Sequence, residues 1–116
     1  MGKTADALRE LALRHPDVEQ GVACKGTALE STTFGTRKKV FLFLGTVPGG
    51  HRLRLRLRES VAEAKKLASR DAKGYVIGPQ GWTKLTFDEH DPPPMDLLAR
   101  WIEESYQVAT SLGRRR

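Results

Sequence analysis

The chain has 116 residues and a formal net charge of +6. This length fits one domain with one hydrophobic core, so we predict a single domain over residues 1–113 and a disordered basic tail at 114–116. The longest apolar run, Val40–Leu44, is far shorter than the ~20 residues of a membrane span, and the N-terminus lacks the apolar region of a signal peptide. We therefore expect a cytoplasmic protein with no membrane partner.

The positive charge is concentrated in the middle of the sequence. Residues 25–84 carry 13 of the 20 basic residues but 4 of the 14 acidic ones, a net charge of +9, whereas the remainder of the chain has a net charge of −3. Such a polarised charge distribution favours an anionic partner such as a nucleic acid. A solvated basic surface that aids solubility is the alternative.

The first half of the chain predicts one helix followed by strands. Thr4 is placed to cap a helix that ends near His15, because Ala5, Leu8, Leu11 and Ala12 recur at helical spacing and Pro16 follows. The pattern then becomes typical of strands separated by short turns. We predict strands around Gly21–Cys24, Leu29–Thr36, Lys39–Leu44 and Arg52–Arg58.

The second half predicts a helix, a strand and a last helix. Ser60 and Glu63 have capping-box spacing at the start of the first of these, and Gly74 is placed to cap its end. Tyr75–Ile77 is a short extended segment, Trp82–Phe87 alternates as the last strand, and the final helix covers about Met95–Leu112. This order predicts an α+β fold, with a single antiparallel β-sheet packed on one face by the N- and C-terminal helices and an additional helix inserted before the last strand.

The strongest local signal is the alternating segment Arg52–Arg58. Its leucines belong on the buried face of a strand, and Arg52, Arg54, Arg56 and Arg58 on the other face. Arginines two residues apart on a strand are about 6.6 Å apart, which is close to the rise along the helix axis between alternate phosphates of a DNA strand. Acids on neighbouring strands are the alternative partners, but Glu30 is the one acid between Lys25 and Arg58.

Other basic residues flank this row in the predicted sheet. Arg37, Lys38 and Lys39 form a basic hairpin tip, which is suited either to a phosphate backbone or to protection of a sheet edge. Lys84 shares its strand face with Trp82. Aromatic residues are not interleaved in the basic segments, which argues against a platform for stacking single-stranded bases.

Three features have structural and functional readings that the sequence leaves open. Trp82 is either a core or edge anchor or a contact residue beside the basic face. The segment Val40–Leu44 is apolar on both faces, which indicates a central strand or a second covered surface such as a dimer interface. Cys24 follows an apolar segment, and we predict a buried small residue rather than a reactive thiol.

The sequence gives little support to an enzyme. His15, His51 and His90 lie far apart with no second ligand at metal spacing, and no glycine-rich phosphate loop precedes a helix. We predict no catalytic residue, no metal and no cofactor. A small-molecule enzyme with a polar pocket around Cys24 or His90 is the least favoured alternative.

Several segments, in order, resemble the MmcQ/YjbR family of small bacterial proteins. They are Leu11–Glu19, Gly21–Cys24, Thr33–Phe43, Gly81–Trp82 and Trp101–Ala109, of which the Glu-Glu-Ser-Tyr and Gly-Trp pieces are the most characteristic. The resemblance implies a YjbR/CyaY-like fold and DNA binding through hairpins of the sheet. It supplies no site residues, so the basic residues named above rest on charge and alternation.

These observations lead to two functional hypotheses. The first is a non-enzymatic module that contacts the phosphates of duplex DNA through the arginine row, with Arg37, Lys38, Lys39 and Lys84 flanking it. The second is a protein-interaction or homodimerisation module that uses the apolar Val40–Leu44 surface and has no role with nucleic acid.

Overall fold

A computed structural model of the chain describes residues 3–27, 30–36 and 39–111. The helices are α1 (Lys3–Leu13), α2 (Val61–Arg70) and α3 (Met95–Ser111). The strands are β1 (Glu19–Ala23), β2 (Ser31–Thr36), β3 (Lys39–Val47), β4 (Gly50–Arg56), β5 (Tyr75–Ile77) and β6 (Trp82–Asp88). The predicted α+β fold is confirmed. The predicted basic tail and the residues Leu29, Arg37, Lys38 and Leu112 lie outside the described residues.

The six strands form one antiparallel sheet in the order β1-β2-β3-β4-β6-β5. Strands β3 and β4 are therefore central, and β1 and β5 are at the edges. The helices cover one face, which we call the helix face. Residues of the opposite parity in each strand point to the other face, which we call the open face.

The core lies between the helix face and the helices. Its strand residues include Leu42 and Phe34 from the β2–β3 pair and Leu53, Leu55 and Leu85 from the next two strands. The helix residues that pack against them are Leu8, Ala12, Ala64, Leu98, Trp101 and Ile102. The leucines of the alternating segment are buried as their spacing predicts.

A β-bulge in β3 changes the parity of that strand. Phe34 pairs with Leu42 and Gly35 with Val40, so Phe41 has no opposite residue in β2. Phe41 and Leu42 consequently both turn toward the helix face, and both are fully buried. This bulge and the central position of β3 account for the apolar residues on both sides of this segment.

The predicted helix caps differ from the structure. Thr4 lies inside α1 rather than before it, and its hydroxyl donates to the Glu89 carbonyl at 3.3 Å. Ser60 precedes α2 but makes no capping hydrogen bond with its side chain. Its hydroxyl donates instead to Glu104 at 2.7 Å, and Glu63 accepts hydrogen bonds from Arg100 and Trp101. The predicted capping box is thus wrong, because both side chains form hydrogen bonds with residues of α3 instead. α2 ends at Arg70, and its C-cap residue is Asp71 rather than Gly74.

The prediction that Cys24 is buried in a strand is also wrong. β1 ends at Ala23, and Cys24 is an exposed residue with a φ of 54°. It begins the turn that leads toward β2, where the N–H of Thr27 donates to the Cys24 carbonyl at 3.2 Å.

Among the described residues, no helix is long and apolar enough to cross a membrane.

Candidate nucleic-acid interface

Three of the predicted arginines lie side by side on the open face of β4. Arg54 is exposed, and Arg52 and Arg56 are half-buried. Their opposite residues on the neighbouring strands are Gly45, Phe43, Thr86, Lys84 and Trp82. No acid stands among these partners. On an ordinary sheet surface, acids on the neighbouring strands would neutralise these arginines. The strands beside β4 therefore provide no such partners.

Arg54 is held by two aromatic rings. Its guanidinium carbon lies 5.1 Å from the centre of the Phe43 ring and 5.6 Å from the Trp82 ring. The two rings contact each other edge to face, with their centres 6.0 Å apart. Cation–π contacts of this kind fix a guanidinium without neutralising its charge. Trp82 is therefore a half-buried residue beside the basic face.

Arg52 lies across the next strand, over a glycine. A Cβ atom at Gly45 would be 2.8 Å from Arg52 Nη2 and 3.2 Å from Ser31 Oγ. A larger side chain at this position would displace the guanidinium. Gly45 thus provides the space in which Arg52 lies flat on the sheet.

Arg56 is fixed by the turn before β6. Its Nε donates to the Gln80 carbonyl at 2.9 Å. Gln80 has a φ of 61°, which is uncommon for a residue with a side chain. Gly81 follows with a φ of +85°, and a Cβ there would lie 2.0 Å from the Leu57 carbonyl oxygen, so this turn requires glycine. The turn brings a carbonyl to Arg56 and leaves its charge uncompensated.

Arg58 does not belong to the strand row that the sequence predicted. β4 ends at Arg56, and Arg58 lies in the turn before α2. Glu104 on α3 accepts hydrogen bonds from the backbone N–H of Arg58 at 2.6 Å and of Ser60 at 3.0 Å. These contacts direct the chain away from the sheet, and the Arg58 side chain is exposed beyond the row.

The remaining predicted residues have different positions. Lys84 is exposed on β6, directly opposite Arg54, so the structure adds it to the row. Lys39 is exposed at the start of β3 and lines a cavity together with Arg56. Arg37 and Lys38 lie outside the described residues.

The acids with shifted pKa values form structural contacts in the helical layer and the loop after β6. Hydrogen bonds from Arg100 and Trp101 lower the pKa of Glu63. A hydrogen bond from His51 lowers the pKa of Glu89. Burial works against the charge of Glu104, but hydrogen bonds from Ser60 and nearby backbone N–H groups outweigh it and lower the pKa.

The ion pairs leave the row arginines unpaired with acids. Within residues 3–27, 30–36 and 39–111, the ion pairs join Arg9 to Asp6 and Arg100 to Glu63, and Glu89 has a hydrogen bond with the His51 ring. None includes Arg52, Arg54, Arg56 or Lys84. Positive charge therefore accumulates on the open face.

No family model and no curated protein matches this chain. The interpretation of the basic face consequently depends on the chain's own residues. In the described part of the chain, no group of three or more histidine, cysteine, aspartate or glutamate side chains is placed to hold a metal ion.

Sequence reasoning missed most of the residues that hold the arginines in place. Phe43, Gly45 and Gln80 come from other strands or turns, so they are not interleaved with the basic residues along the chain. For Trp82, a contact residue beside the basic face was one of two predicted alternatives, because alternation placed it on the same face as Lys84. The contact of Phe43 with Arg54 depends on the β3–β4 register, which the structure sets with a two-residue turn, Pro48 and Gly49, between the paired residues Val47 and Gly50.

Proposed function

We propose that this protein is a non-enzymatic module that binds duplex DNA through the phosphates. Arg52, Arg54 and Arg56 form the centre of the interface, and Lys84 lies beside them. Arg58 extends it beyond the strand. Lys39 at the start of β3 flanks the interface, and we include Arg37 and Lys38, which lie outside the described residues, because the sequence predicts them as part of the same basic segment. We further propose that the protein acts in the cytoplasm and belongs to the MmcQ/YjbR family that its sequence resembles.

The observation that carries this proposal is the set of partners around the arginines. Aromatic rings, a glycine and a backbone carbonyl position the guanidinium groups. None of these groups neutralises charge, so the arginines keep charged donors for an external anion. Arginine binds phosphate oxygens with two parallel hydrogen bonds, and the spacing of about 6.6 Å along β4 is close to the rise along the helix axis between alternate phosphates of one strand.

Binding is expected to depend on phosphates more than on base sequence. The interface is a sheet surface, and α2 combines Lys65, Lys66 and Arg70 with Glu63. A helix of mixed charge is poorly suited to reading the major groove. We therefore expect similar affinities for duplexes of different sequence.

The homodimer alternative has less support from the positions of its residues. Phe41 and Leu42 are fully buried beneath the helices. Phe43 contacts Trp82 and Arg54, so little of this apolar segment is accessible to a partner. Light scattering on the free protein tests this alternative, which predicts a dimer that Phe43→Asp disrupts.

The experiment that tests DNA binding compares two variants with the same change in charge. Arg54→Glu with Arg56→Glu reverses the row, whereas Lys65→Glu with Lys66→Glu reverses two exposed lysines in the helical layer. We expect the row variant to bind a fluorescent duplex about a hundredfold more weakly than the parent, because two charge-assisted contacts are lost. The lysine variant should change affinity by less than about threefold. Equal weakening in both variants would overturn the assignment, and circular dichroism establishes that each variant is folded.

A further inference from the structure

A cavity opens where the two central strands separate. The β3–β4 ladder runs from Val47 opposite Gly50 to Leu42 opposite Leu55. Phe41 and Arg56 would form the next pair, but Ser105 of α3 lies between them. The Ser105 hydroxyl accepts from the N–H of Arg56 at 2.8 Å and donates to the Phe41 carbonyl at 2.5 Å. One hydroxyl group thus replaces a ladder hydrogen bond and keeps the strands apart.

The cavity has a volume of about 220 Å³. Its lining includes Lys39, Val40, Arg56, Trp82, Ser105 and Ala109. Pockets for drug-sized ligands are larger, at roughly 300–1,000 Å³. This volume suits a compact ligand rather than a large cofactor.

The charge of the cavity selects for an anion. Lys39 and Arg56 both line it, and no acid from the described part of the chain does so. Arg56 uses its Nε for the Gln80 carbonyl, and its Nη groups make no hydrogen bond or ion pair with another described residue. Two cations beside a small cavity suit a phosphate group, which accepts several charge-assisted hydrogen bonds.

The other walls select for a flat apolar body. Val40 and Ala109 contribute aliphatic surface, and Trp82 contributes an indole ring. An indole ring is a good stacking partner for a nucleobase, because every base has a π-face. A ligand that matches these walls and the two cations is a nucleobase linked to a phosphate.

We propose that this cavity binds one nucleoside monophosphate unit, with the base against Trp82 and the phosphate between Lys39 and Arg56. The proposal rests on the proposed function, since Arg56 belongs to both surfaces. The unit is either a free mononucleotide or an unpaired nucleotide at the end of a DNA strand.

Binding is measured by NMR on the indole N–H signals of the two tryptophans. The Trp101 indole is fully buried and donates to Glu63, so it is an internal reference. We expect deoxyadenosine 5′-monophosphate to shift the Trp82 signal saturably and to leave the Trp101 signal unchanged. Deoxyadenosine and inorganic phosphate should each bind about tenfold more weakly, because each lacks one half of the unit.

Two variants test the location of the site. Ala109→Leu fills the cavity, and Ala62→Leu, at an exposed position of α2, is its control. Lys39→Gln removes one cation at an exposed position where folding is not at risk. We expect Ala109→Leu and Lys39→Gln each to weaken mononucleotide binding about tenfold, and Ala62→Leu to have no effect. No saturable Trp82 shift, or equal binding by Lys39→Gln and the parent, would overturn the proposal.

A duplex with a one-nucleotide overhang identifies the source of the unit. Tighter binding than to a blunt duplex, lost in Ala109→Leu, supports an unpaired DNA end. Equal binding to both duplexes, with the Trp82 shift by mononucleotide retained, supports a free nucleotide. Failure of the proposed function would give a different result. Arg54→Glu would leave the affinity for the blunt duplex unchanged, while the mononucleotide would still shift the Trp82 signal.

Discussion

Arg54 and Phe43 face each other across β4 and β3, with the guanidinium carbon 5.1 Å from the ring centre. Contacts of this type at exposed sites stabilise by about 0.5–1 kcal/mol. We predict a coupling energy of that size in a double-mutant cycle of Phe43→Leu and Arg54→Met, measured by urea unfolding. Additive effects of the two substitutions would show that the ring does not hold the arginine.

Lys84 stands opposite Arg54 on β6, and like charges directly opposite each other are destabilising. We predict that Lys84→Glu raises the free energy of unfolding by about 0.2–1 kcal/mol and weakens duplex binding. Urea unfolding and fluorescence anisotropy measure the two effects. Lys65→Glu on α2 is the control and should change neither appreciably. An unchanged duplex affinity in Lys84→Glu would remove Lys84 from the interface.

Ser105 joins Phe41 and Arg56 through hydrogen bonds of its hydroxyl, and its side chain is fully buried. Ser105→Ala leaves a backbone N–H and a backbone carbonyl without this partner. We predict a loss of about 2–4 kcal/mol in the free energy of unfolding, since each unsatisfied buried group costs about 1–3 kcal/mol. Ser69→Ala, an exposed serine on α2, should cost less than about 0.5 kcal/mol. A similar small loss in Ser105→Ala would mean that the strands re-pair without it.

Glu104 links α3 to the turn before α2 and has a lowered pKa. A carboxyl group with a lowered pKa contributes stability above its unfolded value of 4.5 and loses that contribution as the pH falls through the folded pKa. We predict that the free energy of unfolding falls as the pH is lowered from 5, and that it falls less steeply in Glu104→Gln. Glu10→Gln, at an exposed position of α1, should retain the parent profile. Parallel profiles for Glu104→Gln and the parent would contradict this role.

The fold was largely predictable because it follows local periodicity. Alternation placed Leu53 and Leu55 in the core and Arg54 on the other face, and both positions are confirmed. Turn residues separated the strands, so an antiparallel sheet followed. The strand boundaries were shifted, however, and Arg58 fell outside the row because a carboxylate from α3 holds its backbone.

The details that failed depend on distant contacts. Ser60 and Glu63 have capping-box spacing, but residues of α3 provide stronger partners for both. Neither the bulge at Phe41 nor the bridging hydrogen bonds of the Ser105 hydroxyl can be predicted from the local sequence. The contact between Phe43 and Arg54 could be identified only from the register of β3 and β4, which places the two residues opposite each other.

The salt dependence of duplex binding tests the central claim most directly. If about six phosphates are neutralised, the logarithm of the affinity should fall against the logarithm of salt concentration with a slope of about −5. Arg54→Glu with Arg56→Glu should reduce the magnitude of that slope by about 2, whereas Lys65→Glu with Lys66→Glu should leave it unchanged. A slope that is the same in the parent and the row variant would contradict the account, because the arginines of β4 would then contact no phosphates.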